Sequence, residues 1–274
     1  CCDLEHHSVF FCNDWGEISL QGDGVAMIEF KAVRKNYHVR GGVNRVLRGA
    51  DLLIRPGEKV GILGRNGAGK STTIRLLSGS ELPSSGTVER QMSVSWPLAF
   101  GGAFQGSLTG RDNAKCISRI YGREVEDILQ FVQSFSELGV YFDEPVKTYS
   151  SGMAARLAFA ISMSIEFDCF LIDEIVHVGD HKFHEKCQIE LFEKRADRAR
   201  VIVSHNEGFV REYCERAYVL KDGLFHPFEN VDEAIDFHVN TLHGHNGFKN
   251  MNKTTVALPR RDPNSIYVSH PAAE

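Results

Sequence analysis

The sequence predicts an α/β fold in which a parallel sheet carries helices on its faces and a helical subdomain is inserted into it. Three short apolar runs, residues 59–64, 168–173 and 200–205, have the length and composition of strands that are buried on both faces. A polar loop and a stretch of helical periodicity follow each run, which indicates strand–helix–strand units with right-handed crossovers. Residues from about 107 to 164 have helical spacing and little strand character, so we expect them to form the inserted subdomain.

Composition narrows the class of protein. The chain has 274 residues, of which 42% are hydrophobic and 24% are charged, as in an ordinary globular protein. The net charge of −5 at pH 7 gives no overall attraction to nucleic acid, and we expect no nucleic-acid partner. The longest uncharged run, residues 91–110, contains a proline, several glycines and polar side chains, so we do not expect it to cross a bilayer. If the protein works at a membrane, a partner must provide the spanning part.

The two ends of the chain differ from its centre. Residues 1–26 contain no Lys or Arg and lack the apolar middle of a secretory signal, so we expect an N-terminal extension outside the folded core. The first strand is expected to begin at Met27. From about Thr241 the sequence is polar and aperiodic, which is typical of a tail. The predicted organisation is therefore an extension at 1–26, a folded domain at 27–240 and a tail at 241–274.

The seven cysteines do not form pairs with the spacing of a zinc site, which indicates reduced thiols. Cys116, Cys169, Cys187 and Cys214 lie within apolar or helical patterns. We expect all four to be packing residues.

A phosphate-binding loop follows the first apolar run. The sequence GRNGAGKS matches the pattern GxxxxGK[ST] in full and opens an amphipathic helix; the alternative is a glycine-rich turn before an ordinary helix. The glycines let backbone N–H groups surround a β-phosphate, the ammonium of Lys70 reaches the β- and γ-phosphates, and the hydroxyl of Ser71 is a ligand for Mg²⁺. The residues expected to bind nucleotide here are Gly64, Arg65, Asn66, Gly67, Ala68, Gly69, Lys70, Ser71 and Thr72.

Two carboxylates and a histidine close the other two apolar runs. The run that ends at Asp173 is followed by Glu174, and the carboxyl ends of parallel strands are where ligands collect. We expect Asp173 to hold Mg²⁺ through water and Glu174 to orient or activate the attacking water. His205 is the candidate contact to the γ-phosphate. The alternatives are an acidic helix N-cap for the pair and a structural or exposed role for the histidine.

A second candidate anion site begins another helix. In YSSGM (149–153), two small hydroxyl residues and a glycine precede an apolar run, so backbone N–H groups and the positive end of a helix dipole face outward. The alternative is a capped helix start with no further role.

The order and spacing of these motifs resemble the ATP-binding subunits of ABC transporters over about 27–240. The resemblance implies a P-loop NTPase (RecA-like) core, an ABC-type antiparallel β subdomain and the inserted helical subdomain. It implies that Tyr37 stacks on adenine, that Gln105 contacts nucleotide and Mg²⁺, and that the catalytic residues are Lys70, Glu174 and His205. Gly179 and Asp180 match the D-loop. The signature motif falls on Ser150, Ser151 and Gly152, which complete the ATP site of a second copy packed head to tail.

A narrower resemblance is carried by segments 95–113, 148–168 and 171–180, which are similar to the ATP-binding subunit of bacterial capsular-polysaccharide exporters. This resemblance implies an ATPase on the cytoplasmic face of the bacterial inner membrane. It binds ATP and Mg²⁺, pairs with a second copy of itself and drives a transmembrane permease subunit, so that it acts on polysaccharide indirectly. The chain departs from the pattern near the expected subunit interface, at Ala154, Val176 and His177.

Other functions stay open from the sequence. ATPase subunits of O-antigen or teichoic-acid exporters share part of the pattern, although the O-antigen type often carries a large C-terminal carbohydrate-binding domain for which the expected tail is too short. A soluble ABC-type ATPase is another alternative, but repair-type members insert long coiled coils between phosphate loop and signature, and ribosomal types carry two cassettes. A non-enzymatic regulatory cassette is the third. Lys70, Asp173, Glu174 and His205 are nevertheless all present.

Two further patterns have less specific interpretations. The side chains of His181, His184 and Cys187 share one helix face, which is compatible with a metal site, but no fourth ligand is evident. The charged run 193–200 is expected to be a solvated helix end and not a patch for nucleic acid.

Overall fold

The computed structural model describes residues 26–98, 104–173 and 181–242. Within these ranges the strands form one three-stranded antiparallel sheet and one five-stranded sheet. The strands are β1 (Ile28–Val39), β2 (Gly42–Ile54), β3 (Lys59–Gly64), β4 (Ser85–Arg90), β5 (Cys169–Asp173), β6 (Ala199–Val203), β7 (Arg216–Lys221) and β8 (Leu224–Phe228).

The five-stranded sheet has the order β5-β6-β3-β7-β8, in which the first four strands are parallel and β8 is antiparallel to β7. Its side chains alternate between two cores: Ile62 lies in the core shared with the antiparallel sheet, and Leu63 lies in the core shared with the helical subdomain. Because both faces are covered there, almost all residues of β3, β5 and β6 are buried, which is why these three strands read as continuous apolar runs.

Seven α-helices lie in the described residues. The first helix packs on the face of the sheet that carries Ile62, whereas the last two pack on the opposite face with Leu63. The helices are α1 (Lys70–Leu77), α2 (Gly110–Ile120), α3 (Val125–Ser136), α4 (Ser151–Met163), α5 (His181–Gln188), α6 (Glu207–Tyr213) and α7 (Val231–Leu242).

The antiparallel sheet has the order β2-β1-β4 and covers the same core as α1. Ile28 of β1 is the register partner of Ile54 on β2 and of Arg90 on β4. The guanidinium of Arg90 in turn donates to the carbonyls of Leu76 and Leu77 at the end of α1. These bonds satisfy carbonyl groups that have no partner within the helix, so they fix α1 between the two sheets.

The helical subdomain is formed by α2, α3 and α4, with two short 3₁₀ turns at Gly139–Asp143 and Val146–Thr148. A segment that runs parallel to β5 joins it to the core, since Ser95 N and Leu98 N donate to the carbonyls of Cys169 and Leu171. The indole of Trp96 in this segment donates to the Ser162 hydroxyl of α4 at 2.7 Å. The start of the subdomain is therefore pinned both to the sheet and to α4.

The predicted fold class, a phosphate-loop α/β core with an antiparallel sheet and inserted helices, is confirmed. The first strand begins at Ile28, one residue after the expected position, and α7 continues through Leu242, beyond the expected end of the domain at residue 240. The extension at 1–25 and the tail from residue 243 lie outside the described residues. No helix in the described part of the chain is long and apolar enough to cross a bilayer.

One expectation about side chains is wrong and another holds only in part. Cys116 is exposed on α2 and is not a packing residue, whereas Cys169 and Cys187 are buried. In the run 193–200, which follows a helix end, Glu193, Lys194 and Asp197 are exposed as expected, but Arg195 and Arg200 are buried. Arg195 donates to carboxylate oxygens of Glu190 at 2.7 Å and Glu166 at 2.8 Å, so its charge is paired inside the protein.

The different environments of the cysteines give a testable reactivity order. Burial raises the pKa of the Cys169, Cys187 and Cys214 thiols to about 12, so almost none of these groups is a thiolate at pH 8. We expect iodoacetamide at pH 8 to label Cys116 in the folded protein and to leave the other three unmodified, as measured by peptide mass spectrometry. All four should react in denaturant, which is the control. Labelling of Cys169 at the rate of Cys116 in the folded protein would contradict the assigned packing.

Candidate functional site

The candidate site lies at one edge of the five-stranded sheet. Strands β3, β5 and β6 are parallel, so their carboxyl ends, Gly64, Asp173 and Val203, meet at the same edge. His205 follows the end of β6 by two residues. The sheet therefore brings the phosphate loop, the predicted magnesium ligand and the predicted γ-phosphate contact to one side of the molecule.

Glycines shape the phosphate loop between Gly64 and α1. Gly67 and Gly69 have φ angles of 79° and 114°, a region that other residues rarely adopt. A Cβ atom on Gly69 would lie 2.6 Å from Cγ1 of Val46 on β2, and a Cβ atom on Gly64 would lie 3.0 Å from the carbonyl oxygen of Leu220 on β7. The loop is thus confined between the two sheets, and its backbone can approach a ligand closely.

The start of α1 is left available for an anion. Gly69 is its N-cap residue, and no side chain in the described part of the chain caps this end. The N–H groups of the first turn and the positive end of the helix dipole are therefore directed at the loop. Lys70 is 9% exposed, and its ammonium donates to the carbonyls of Gly64 at 2.8 Å and Arg65 at 3.3 Å. These bonds hold the cation across the loop.

Tyr37 lies beside the first turn of α1. Its hydroxyl is 3.3 Å from Oγ1 of Thr72, donates to Oε2 of Glu81 at 2.7 Å and accepts from the guanidinium of Arg75 at 3.1 Å. Burial raises the pKa of Glu81, but hydrogen bonds from Lys35, Tyr37 and Arg75 outweigh this effect, so the pKa is below its usual range. The carboxylate stays charged near pH 7 and holds the tyrosine in place.

The chemistry of the three predicted magnesium ligands suits Mg²⁺, and two of them, Asp173 and Ser71, lie at the ends of β5 and of the phosphate loop. Asp173 is half-buried at the end of β5, and Ser71 is exposed at the start of α1. A carboxylate, a hydroxyl and the amide oxygen of Gln105 are hard ligands of the kind that this ion prefers. Glu174, the predicted catalytic carboxylate, lies outside the described residues, as do Val176, His177 and the predicted D-loop at Gly179 and Asp180.

Gln105 is held through its backbone. Its N–H donates to Oδ1 of Asn113 on α2 at 3.1 Å, and its carbonyl accepts from Nδ2 of the same residue at 3.3 Å. Asn113 is buried, whereas Gln105 itself is exposed. The side chain of Gln105 is therefore free to project from a loop whose position is fixed. Asn113 was not singled out from the sequence, since an asparagine within a helical pattern gives no sign that it anchors a distant loop.

The predicted signature segment begins α4. The hydroxyl of Ser150 accepts from Met153 N at 3.2 Å and caps the helix, while Ser151 is exposed at its first position. Among the described residues beyond its own helix backbone and chain neighbours, only the Ser150 hydroxyl lies within 4 Å of a Cβ added to Gly152, so this surface is open. An exposed, capped helix start with small side chains leaves room for an anion carried by another molecule.

The signature segment is tied to the loop of Gln105. Lys147 N donates to the Gly106 carbonyl at 2.8 Å, and Val146 N donates to the Leu108 carbonyl at 2.9 Å. The hydroxyl of Tyr149 lies 2.6 Å from the position of a Cβ on Gly110, the first residue of α2. The signature segment and the Gln105 loop are therefore expected to move together.

The histidines after β5 do not assemble a metal site with Cys187. His181 is exposed, and Cys187 is buried in the core beneath α5. No group of three or more His, Cys, Asp or Glu residues within 26–98, 104–173 and 181–242 is arranged to hold a metal ion. The conceivable site on this helix face is not supported by the geometry.

Comparison with known proteins agrees with this geometry. The ABC transporter family model matches residues 47–177. The ATP-binding protein BexA of Haemophilus influenzae is 56% identical over 215 residues, which cover 78% of this chain and 99% of that protein. The capsule polysaccharide export ATP-binding protein CtrD of Neisseria meningitidis is 54% identical over 212 residues, with coverage of 77% and 98%.

The fold also matches solved structures. The dimeric, post-hydrolysis structure of the ATP-binding cassette MJ0796, bound to ADP and Pi, has a TM-score of 0.62 and 22% identity, and the match covers 73% of this chain and 97% of that one. This similarity supports the fold. The identity to BexA and CtrD over almost their full length shows that the chain belongs to the family of ABC transporter ATP-binding proteins.

Proposed function

We propose that this chain binds and hydrolyses ATP to power the export of capsular polysaccharide across the bacterial inner membrane. The observation that carries the proposal is the phosphate loop, which directs an uncapped helix start and a buried lysine at one point of the sheet edge. The 54% identity to CtrD, which is named for capsule polysaccharide export, supports capsular polysaccharide as the exported substrate. We assign this activity to a domain at about 27–240, with its helical subdomain at about 107–164.

The phosphate loop and the residues around it bind the nucleotide in this proposal. The N–H groups of residues 64–72 surround the β-phosphate, Lys70 contacts the β- and γ-phosphate oxygens, and Tyr37 stacks on the adenine. Ser71, Gln105 and Asp173 would hold Mg²⁺, which when bound neutralises charge on the phosphate groups.

Hydrolysis requires a base and a group that senses the γ-phosphate. Glu174, next to Asp173 at the end of β5, orients the attacking water and accepts its proton. His205 contacts the γ-phosphate from the end of β6. The position of His205 just after β6, at the same sheet edge as Asp173 and the phosphate loop, supports these roles, since strand ends at this edge meet around the loop.

A second copy of the chain completes each site. Ser150, Ser151 and Gly152 at the exposed start of α4 contact the γ-phosphate that the partner's loop holds. The closed dimer is thus a ligand-biased state, and loss of the γ-phosphate contact lets it open. The bonds from Lys147 and Val146 to the Gln105 loop give a route by which closure reaches the neighbouring surface at 105–111, where we place the transmembrane permease.

The chain then works at the cytoplasmic face of the inner membrane as a peripheral subunit. It does so through this permease and need not touch the polysaccharide.

Replacing the proposed catalytic carboxylate separates hydrolysis from nucleotide binding. Glu174→Gln removes the group that accepts a proton from water but keeps a similar shape, so MgATP binding should persist while turnover falls by about a hundredfold or more. Lys70→Ala should instead weaken nucleotide binding itself. ATPase rates and fluorescent-nucleotide titrations of both variants separate the two effects. Near-normal turnover in Glu174→Gln would remove Glu174 from the mechanism.

Ser151 is the residue at which the proposed site shared between two copies can be blocked. Ser151→Arg places a long cation at the exposed start of α4, which should block the partner's γ-phosphate while the phosphate loop of the same chain is unchanged. Nucleotide binding by dilute protein should stay near wild type. In a Glu174→Gln background, ATP should trap a dimer in size-exclusion chromatography, and Ser151→Arg should abolish it.

A mixture of chains provides the control. When Ser151→Arg chains are combined with Lys70→Ala chains, one of the two shared sites carries both changes and the other carries neither. Some ATP-dependent dimer should therefore return. If Ser151→Arg abolishes nucleotide binding by a folded monomer, both anion sites act within one chain and the head-to-tail arrangement is wrong.

A further inference from the structure

We propose that three charged side chains, those of Glu137, Lys186 and Arg156, form a joint that sets the position of α4 relative to α5. Through this joint they act as positioning residues for the site that two copies of the chain share. The inference rests on the proposed function and deepens it, because it names the groups that orient the signature segment (149–153) within each chain. We call these three side chains the charged joint.

The end of α3 has an unusual backbone conformation. Glu137, the residue that ends this helix, has a φ angle of 54° and a ψ angle of 33°, which is the left-handed region. Glycine usually takes this conformation at a helix end, because a Cβ atom makes it unfavourable. A glutamate is therefore less favourable than a glycine for the backbone here, and strained residues of this kind are typical of positions where the side chain has a role. The contacts of the carboxylate indicate that role.

Lys186 of α5 binds both the carboxylate of Glu137 and the end of α3. Its ammonium donates to Oε1 of Glu137 at 2.9 Å and to the carbonyls of Ser134 at 3.3 Å and Phe135 at 3.0 Å. These carbonyls belong to the last turn of α3, where carbonyl groups lack partners within the helix. The hydrogen bond from Lys186 lowers the pKa of Glu137, so the carboxylate is charged near pH 7. One lysine therefore ties α5 to the end of α3.

Arg156 of α4 approaches the second oxygen of the same carboxylate. Its Nη1 atom is 4.0 Å from Oε2 of Glu137, and its guanidinium carbon is 4.8 Å from the centre of the Phe183 ring on α5. The carboxylate of Glu137 is thus approached by a cation of α4 and by Lys186, a cation of α5. Removal of the carboxylate takes away the negative charge that both cations approach, and like charges repel one another.

Aromatic rings of the same three helices pack together next to the charged joint. The ring of Phe135 on α3 has its centre 5.9 Å from that of Phe159 on α4 and 5.6 Å from that of Phe183 on α5, and all three residues are buried. Burial of apolar surface is non-directional, so it holds the helices together without fixing their angle. Hydrogen bonds depend on direction. We therefore expect loss of the charged joint to shift α4 and to leave the fold intact.

The position of α4 matters for the shared site. Ser151 is the first residue of this helix, and Arg156 lies about 7.5 Å further along the helix axis, at 1.5 Å per residue. A change in the angle of α4 at Arg156 therefore moves the helix start, and a displacement of about 1 Å is enough to disturb a contact between reacting groups. In the chain, α5 follows β5, which ends at Asp173. The charged joint therefore links an element next to the nucleotide side of the sheet to the helix start that meets the partner.

The strain at Glu137 separates a positioning role from a structural one. In the Glu174→Gln background, Glu137→Gly removes the carboxylate and the strain together, whereas Glu137→Gln removes only the charge. Both variants should need a protein concentration about fivefold or more higher to form the ATP-dependent dimer, because an ion pair of this exposure shifts an equilibrium by a small factor and each dimer contains two joints. The melting temperature of Glu137→Gly should be at least that of Glu137→Gln, since the strain is relieved. Sedimentation velocity and thermal unfolding measure the two effects.

Lys186→Gln tests the same contact without a change to the backbone of Glu137. It should weaken the dimer by a similar factor, and the double variant with Glu137→Gln should weaken it by less than the product of the two single factors, because both residues act through one contact. Nucleotide binding by the dilute protein should stay near wild type in every variant, since the phosphate loop is unchanged. The matched control is Glu126→Gln, which removes the same charge from the exposed first turn of α3. It should leave the dimer unchanged.

Failure of the charged joint and failure of the proposed function are distinguishable. If the Glu174→Gln parent forms no ATP-dependent dimer, the head-to-tail arrangement is wrong and the charged joint is overturned with it. If the parent forms the dimer and both Glu137→Gly and Lys186→Gln form it equally well, only the charged joint is wrong. A loss of dimer that follows the loss of melting temperature would also overturn the joint, because its role would then be structural. An equal loss in Glu126→Gln would do the same, since the dimer would depend on net charge alone.

Discussion

Gly69 occupies a space between the two sheets that no larger residue can fill. Its φ angle is 114°, and a Cβ atom would lie 2.6 Å from the side chain of Val46 on β2. Because the phosphate loop crosses this gap, α1 starts with its N–H groups directed at the sheet edge, and Lys70 is drawn over the loop towards Gly64. The antiparallel sheet therefore has two roles. It covers a core, and its residue Val46 restricts the phosphate loop to a conformation that can bind an anion.

The starts of α1 and α4, the two candidate anion sites, are built differently. Gly69 leaves the start of α1 without a side-chain cap, whereas the hydroxyl of Ser150 caps α4. Without a side-chain cap, the first N–H groups of α1 are left for water or a ligand. The cap on α4 already satisfies one N–H group, so this helix start is stable without a ligand. This difference suits a strong site within the chain and a weaker site that operates only when a second copy approaches. Between these two helix starts in the chain, Asn113 holds the Gln105 loop and Tyr149 contacts the start of α2.

Much of this arrangement could be predicted from the sequence, for a physical reason in each case. Strands buried on both faces must be apolar throughout, so β3, β5 and β6 were visible as runs, and a loop that wraps a phosphate needs glycines at fixed spacing. What could not be predicted depends on residues far apart in the chain. The charge of Arg195 is paired by Glu166, and Asn113 holds the Gln105 loop, whereas the exposure of Cys116 depends on which side of α2 faces the core.

We propose that hydrolysis needs two copies of the chain, each with a phosphate loop that faces the other's α4 start. The most direct test is the dependence of the ATPase rate per chain on protein concentration at saturating MgATP. If the active form is a dimer, the rate per chain should rise with concentration and then level off as the chains pair. A rate per chain that is constant down to the lowest concentrations at which the protein is shown to be monomeric would contradict the account.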